Sequence, residues 1–447
     1  GVAVNGVRMR LQTKGFHFYE GDRKWVANGI AYGPFQPDAS GQPYPDPARI
    51  RDDFAVMAAT GINSIRLYEC PGEALATIAA EYDLRLLLDV PWPKHLDLYD
   101  SPRQQAMCMQ MLDERLSRVK DWPNIQGILL GNEIPPDLVR WAGPKKVNDF
   151  LRCLYDRAKS IAPDLLFGYA NFPSTEFLQP RFFDFLGFNV YLNSPEILRR
   201  YLTRLRLMYP EKPLILTEIG FDSLGQGETG QALLLHDSLL AARETGCAGA
   251  YVFSWTDEWH TGGFDVTDWA FGVVTKERQP KPALDSIARV FAQSPRATIT
   301  EAPPMVSVVV ATYNGGRTLR QCLDSLATLN YTNYETIVVD DGSADNTSEI
   351  LGEYSNIQVV RQPNMGLSEA RNSGIRAAKG NIVAFTDSDC VVDPDWLVYL
   401  VSDMIRGNFA GVGGPNLTPP ENRIVARAIA LAPGHATHVL LNEYEAE

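Results

Sequence analysis

Little in this chain would tie it to nucleic acid, to zinc, to a disulfide framework or to the lipid bilayer. Its 447 residues carry 41 Lys and Arg against 54 Asp and Glu, a formal net charge of −13. Nucleic-acid binding draws on a basic patch that neutralises phosphates, so that partner class is set aside. The six cysteines stand at 70, 108, 153, 247, 322 and 390, with no Cys-x-x-Cys and no close pair. Such scatter reads as small buried apolar residues in a reducing compartment, not as a disulfide scaffold. The six histidines lack metal-ligand spacing, which argues against a zinc site. No run of about 20 apolar residues exists, so no segment of this sequence spans a membrane. There is no signal peptide, and the opening at Gly1 without Met reads as a trimmed start. Repeats and low-complexity tracts are also missing.

The length favours two domains over one core. The joint is expected at 293–303, within QSPRATITEAPP, which is rich in Pro, Ser and Thr and has no apolar periodicity. Downstream lie three signals in order: VSVVVATYN, TIVVDDGS and VAFTDSD. Each is a short Val-rich or apolar run ending in polar or acidic residues, the pattern of a buried parallel strand. Ligands of open α/β sheets sit beyond the carboxyl ends of such strands. One crevice therefore receives Thr312, Tyr313 and Asn314, then Asp340 and Asp341, then Asp387 and Asp389. Several carboxylates in one crevice repel one another unless a cation or a donor-rich ligand joins them. A divalent metal holding a nucleotide diphosphate fits that need.

On ATYN (311–314), DDGS (340–343), NMGLSEARNSGI (364–375) and DSD (387–389), this segment resembles the nucleotide-sugar-binding half of the family 2 glycosyltransferases. The resemblance implies a Rossmann-like, mostly parallel GT-A domain over 304–447. It implies that Asp340 and Asp341 hold the base and ribose of a nucleotide sugar, by family habit a UDP-sugar. It further implies that Asp387 and Asp389 border the diphosphate and bind Mg²⁺ or Mn²⁺, hard ions suited to oxygen ligands. The segment departs from the family beyond Asp389. The Glu-Asp pair of the acceptor half and the Gln-x-x-Arg-Trp of processive synthases are both missing, and Glu443 and Glu445 are no replacement. Without a base nothing takes the acceptor's proton. The expectation is a partial domain that binds nucleotide modestly and transfers no sugar, in a protein that continues, into membrane helices.

Upstream, two apolar strands end in glutamate: IQGILLGNEI, with Asn132 and Glu133, and PLILTEIG, with Glu218. An eight-unit β/α barrel spends ~31 residues per unit. The separation from 133 to 218 is then close to three units, which suits the fourth and seventh strands. The others are read at 25–33, 62–68, 84–92, 165–172, 182–192 and 249–255. Amphipathic stretches lie between most of them, and those at 46–61 and 231–246 end in Gly, the expected C-cap. Alternation of this kind predicts a parallel (β/α)8 barrel over 1–292. Its active site would lie at the carboxyl ends of the strands, with both glutamates facing the mouth. Two carboxyl groups about 5 Å apart suit retaining glycoside hydrolysis, and a wider gap suits inversion.

The Asn132-Glu133 and Thr217-Glu218-Ile219-Gly220 segments resemble the clan A glycoside hydrolases, which carry Asn-Glu after strand four and a nucleophilic Glu after strand seven. The resemblance implies that Glu133 is the acid/base and Glu218 the nucleophile. It implies that Asn132 binds the sugar 2-hydroxyl, that Arg66 keeps Glu218 ionised, since a nearby cation lowers a carboxyl pKa, and that Tyr191 hydrogen-bonds Glu218. Trp255, after the eighth strand, is expected to offer an apolar face to a sugar ring. Trp92, His95, Asp257, Glu258 and Trp259 are further candidates for the mouth. No cofactor is expected for the barrel.

The expected whole is a bifunctional polysaccharide enzyme: a retaining β-glycoside hydrolase or transglycosylase, acting on a β-glucan, joined to an inverting nucleotide-sugar transferase. Two alternatives are a barrel without catalysis that grips the nascent glycan, and a barrel that only scaffolds the transferase. No membrane segment separates the units and nucleotide sugars are cytosolic, so both are expected on the cytoplasmic side.

Overall fold

A computed structural model describes residues 3–4, 7–92, 99–209, 211–293 and 302–414. The chain divides into two compact units, one ending at Gln293 and the other carrying the downstream strands.

In the first unit, eight parallel strands close into a barrel. They are Ala27–Ala31, Ser64–Leu67, Arg85–Asp89, Ile125–Asn132, Phe167–Asn171, Leu186–Asn189, Leu214–Ile219 and Gly249–Val252. Each lies inside a stretch predicted as a strand. Their apolar runs are buried on both faces, by the barrel interior and by the surrounding helices. The helices follow from amphipathic spacing. Pro144–Ile161 starts on a proline, whose missing N–H is no loss in the first turn, and buries Val147, Phe150, Leu151, Leu154 and Ala158 on one stripe. Pro47–Ala59 is capped by the Asp46 carboxylate and followed by Gly61 at φ +86°. Ser223–Glu244 is interrupted at Gly227 and followed by Gly246 at φ +75°, so both predicted stop signals hold. Only the short 3-10 turn Pro173–Thr175 lies between the fifth and sixth strands.

A small antiparallel sheet, Leu11–Lys14, His17–Glu20 and Arg23–Trp25, closes the amino-terminal end of the barrel. Phe18 meets Phe185 at 5.7 Å between ring centroids. Leu11 and Phe18 join Leu87, Leu129, Ile215 and Tyr251 in one buried cluster. Arg85, fully buried at the start of the third strand, bonds Glu20 and the Met9 carbonyl.

The second unit is a four-stranded parallel sheet in the order Ile357–Arg361, Tyr334–Asp340, Val306–Thr312, Ile382–Asp387. Register pairs Thr312 with Asp340 and Ala311 with Asp387, so the three predicted strand ends lie side by side. Helix Leu367–Ala377 lies against the central strand, and a Cβ on Gly374 would sit 2.3 Å from Val309, so only glycine fits there. All six cysteines are free thiols. Among the described residues no helix is long and apolar enough to cross a membrane.

Candidate active site

At the carboxyl end of the barrel the strands surround a cavity of about 730 Å³. Asn132, Glu133, Tyr191 and Glu218 all line it, as the sequence predicts. Strand alternation alone would not bring Asn132 and Glu133, or Thr217 and Glu218, to one face, because neighbouring side chains point opposite ways. The register slips beside both pairs. Gly168 pairs with Leu129, but Ala170 pairs with Asn132. Likewise Phe188 pairs with Leu216, but Asn189 pairs with Glu218. A bulge places one extra residue in a strand and re-aims its side chain. Glu133 itself stands at φ +47°, a left-handed conformation rare outside glycine.

Arg66 is the hub of the site. It is fully buried, and its Nε and Nη2 donate to the two oxygens of Asp89 at 3.0 and 2.7 Å. Nη1 donates to Glu218 Oε1 at 2.9 Å and to the Thr217 carbonyl at 2.9 Å, while Nη2 also reaches Asn132 Oδ1 at 3.0 Å. Burial opposes the charge, but Asp89, Tyr68 and Glu218 outweigh it and hold the guanidinium protonated. Glu218 accepts two further bonds, from Tyr68 at 2.8 Å and Tyr191 at 2.6 Å. Burial first, and the Glu218 charge with it, pushes both phenols well above their ordinary pKa, so each stays a donor. A guanidinium and two phenols thus fix the orientation of this carboxylate.

Asn189 links the two glutamates. Its Nδ2 donates to Glu133 Oε1 and to Asn132 Oδ1, each at 2.9 Å. Its Oδ1 accepts from Thr217 Oγ1 at 2.7 Å and from Arg66 Nη1 at 3.3 Å. The Asn132 oxygen thus takes two donors, which leaves its amide N–H groups to meet a ligand.

The cavity wall is aromatic. Phe253 and Trp259 pack at 4.9 Å, Trp259 and Tyr68 at 5.1 Å, and Phe253 and Phe271 at 5.5 Å. Trp92 and Trp259 line it as expected, and Trp92 Nε1 is anchored on the Leu130 carbonyl at 2.9 Å. Trp255 does not. It is 1% exposed and lies in the buried core with Ile30, Val273 and Val274. Beyond Val252 the chain leaves the strand: Trp255 N–H bonds the Ala31 carbonyl and its own carbonyl takes the Val274 N–H, which turns the indole into the core. Phe253 takes the place foreseen for Trp255. Asp257 and Glu258 are held by Lys281 and Arg278 and do not line the cavity. His95 lies outside the described residues. Sequence reading missed Tyr68, Asp89, Asn189 and Thr217. The available signal was spacing by two: Tyr68 follows Arg66, and Asn189 precedes Tyr191, at strand ends.

In the second unit the strand-end loops are stitched together. Asp341 N–H bonds the Thr312 carbonyl, Asn314 N–H bonds Ser343 Oγ, and Asn314 Oδ1 takes the Ala344 N–H. Thr312 is buried and Tyr313 is 54% exposed. Asp340 and Asp341 are both buried, which differs from an open ligand-facing pair. Asp340 accepts the Ser343 N–H at 3.0 Å, closing the DDGS turn. Asp341 accepts Gln362 Nε2 at 2.7 Å, Met365 N–H at 2.9 Å and Gly366 N–H at 2.8 Å. Burial raises its pKa, but these donors prevail and hold it below the ordinary value. Asp341 therefore shapes the loop that opens helix Leu367–Ala377, a favourable place for an anion.

Asp387 is over half exposed and pairs with Arg371 at 2.8 Å, and Asp389 is exposed beside it. Among the described residues no three His, Cys, Asp or Glu side chains form a metal cluster. Two carboxylates fit a hard divalent cation that draws the rest of its shell from phosphate and water. The donor set suits a cation arriving with a diphosphate.

Residues 307–425 match the family described as "Glycosyl transferase family 2". Relatives include the putative glycosyltransferase EpsH of Bacillus subtilis, 39% identical over 117 residues, 24% of this chain and 34% of that protein. Another is the poly-beta-1,6-N-acetyl-D-glucosamine synthase of Staphylococcus epidermidis, 33% identical over 118 residues, 25% of this chain and 29% of that one. The chain thus spans about a third of the length of these relatives. The barrel resembles the β-glucuronidase from Ruminococcus gnavus in complex with C6-substituted uronic isofagomine, with TM-score 0.55 and 18% identity over 63% of this chain and 52% of that one. It also resembles the GH2 β-galacturonidase from Eisenbergiella tayi bound to galacturonate, with TM-score 0.52, 18% identity, and 63% and 54% covered. That likeness is one of fold. Residues 307–425 are a family 2 glycosyltransferase domain, in a chain whose first unit has the barrel fold of these glycosidases.

Proposed function

We propose that the chain is part of a bifunctional glycan enzyme whose barrel is a retaining β-glycoside hydrolase or transglycosylase. The observation that carries this reading is the Glu218 carboxylate held by Arg66, Tyr68 and Tyr191, in one cavity with Glu133. Glu218 attacks the anomeric carbon, and Glu133 protonates the leaving oxygen and then activates water or a sugar hydroxyl. The donors on Glu218 also make it a competent leaving group from the glycosyl intermediate. Asn132 donates to the 2-hydroxyl. A β-glucan is the proposed substrate class.

The transferase domain in this reading binds a UDP-sugar at its strand ends. Tyr313 and Asn314 face the nucleoside, and Asp387 and Asp389 would hold Mg²⁺ or Mn²⁺ with the diphosphate. Nucleotide sugars place both units on the cytoplasmic side.

The test is incubation with β-linked gluco-oligosaccharides, with product masses and the first-formed anomer read by NMR. Cleavage or elongation with retained configuration is expected. Inversion would sink the nucleophile assignment, and no turnover of any β-glycoside would sink the hydrolase reading.

A further inference from the structure

Two exposed aromatic side chains stand on elements that also line the cavity. Trp141 and Phe264 are 83% and 78% exposed, more than any other large apolar residue among the described ones. Both stand on loops that leave the carboxyl ends of barrel strands. Trp141 lies on helix Pro136–Ala142, directly after Glu133. Leu138 of that helix lines the cavity, while Val139 and Ala142 are buried. Residues three apart share a helix face, so Trp141 stands on the same side as Leu138, one turn further out.

Phe264 reaches the rim by different geometry. It lies in the hairpin His260–Thr261 / Phe264–Asp265 and pairs directly with Thr261. Directly opposed residues of an antiparallel pair point to one face. Thr261 lines the cavity, so Phe264 shares its side. Two unrelated elements thus each continue the wall of one site outward with an exposed ring. Flat apolar rings fit the C–H faces of pyranose units, whose edges keep their hydroxyls in water.

We propose that Trp141 and Phe264 bind sugar units beyond the cavity, so that the barrel takes an extended β-linked chain and not an isolated disaccharide. This deepens the reading of the barrel as a glycan site and rests on it. The occupant is the remainder of the chain whose scissile bond lies between Glu133 and Glu218, since each ring shares a helix or hairpin face with a residue that lines that cavity.

The experiment uses the whole chain, its Trp141→Ala and Phe264→Ala variants and the double variant, with gluco-oligosaccharides of two to eight units. Dissociation constants come from calorimetry and cleavage from product analysis. Wild-type affinity is expected to rise with length. The double variant should lose about tenfold on the longest chains and nothing on the disaccharide, and Trp141→Phe should recover most of the Trp141 loss. Length-dependent binding that the variants abolish, without cleavage, keeps this inference and overturns the hydrolase reading. Cleavage with affinities indifferent to both variants overturns the inference alone. A shifted melting temperature or elution volume at unchanged affinity would assign the rings to a protein contact and overturn it as well. No binding of any chain overturns both.

Discussion

The two units handle acidic side chains in opposite ways. In the barrel, Asp89 and Glu218 are buried and locked to Arg66. In the transferase domain, the Asp387–Arg371 pair lies open to solvent, with the carboxylate 53% exposed. A buried ion pair fixes its geometry before any ligand arrives, whereas a screened surface pair fixes little. The barrel carries a finished electrostatic arrangement, and the transferase strand ends carry a solvent-screened one.

Replacing the proposed nucleophile should break the barrel most deeply. Glu218→Gln is expected to lower kcat by about 10⁴-fold or more, measured on the best oligosaccharide. Equal turnover would remove Glu218 from the chemistry. Arg66→Met tests the contrast directly. It leaves Asp89 and Glu218 buried without their cation and should cost ~3–5 kcal/mol in denaturant unfolding. Arg371→Met should cost below ~1 kcal/mol, and equal costs would erase the comparison. Tyr191→Phe removes one donor from Glu218 and should reduce kcat by about 10²-fold with little change in KM.

The exception inside the transferase domain is Asp341, which is tied like a barrel residue. Its folded pKa is depressed, so its stabilisation is full above the ordinary value of 3.8 and fades as pH falls through the lower folded value. Asp341→Asn should cost ~1–3 kcal/mol at neutral pH and flatten the acid limb of a melting-temperature profile; an unchanged limb would refute that role. Trp255→Phe is expected to cost about 1–2 kcal/mol of stability with unaltered sugar affinity. A weakened affinity would return Trp255 to the site.

The fold was readable because eight buried strands leave eight apolar runs, and strand-end glutamates at 133 and 218 interrupt two of them. Arg66, Asn132 and Tyr191 came from the resemblance to the clan A hydrolases, and each stands at or just after the end of one of those strands. What stayed hidden depends on departures from regularity. The bulges beside Asn132 and Glu218 let adjacent residues share a face, which period-two reading forbids. Tyr68, Asp89 and Asn189 look like ordinary strand-end polar residues until the barrel closes and joins strands distant in sequence. Trp255 was misplaced because the eighth strand stops at Val252, three residues short of it. In the transferase domain the motifs gave strand ends that lie side by side, but not that Asp341 is buried, its N–H and carboxylate both spent on holding two loops.

The small sheet under the barrel makes the cavity a cup. With Phe18 against Phe185 and Arg85 tied to Glu20, the amino-terminal end is stoppered by side chains and not merely narrow. A polymer cannot be threaded through such a vessel; it can only be laid across the lip and dipped. On the proposed glycosidase reading, product, water and the next chain then share the mouth of the barrel, so each turnover waits for the previous one to clear it.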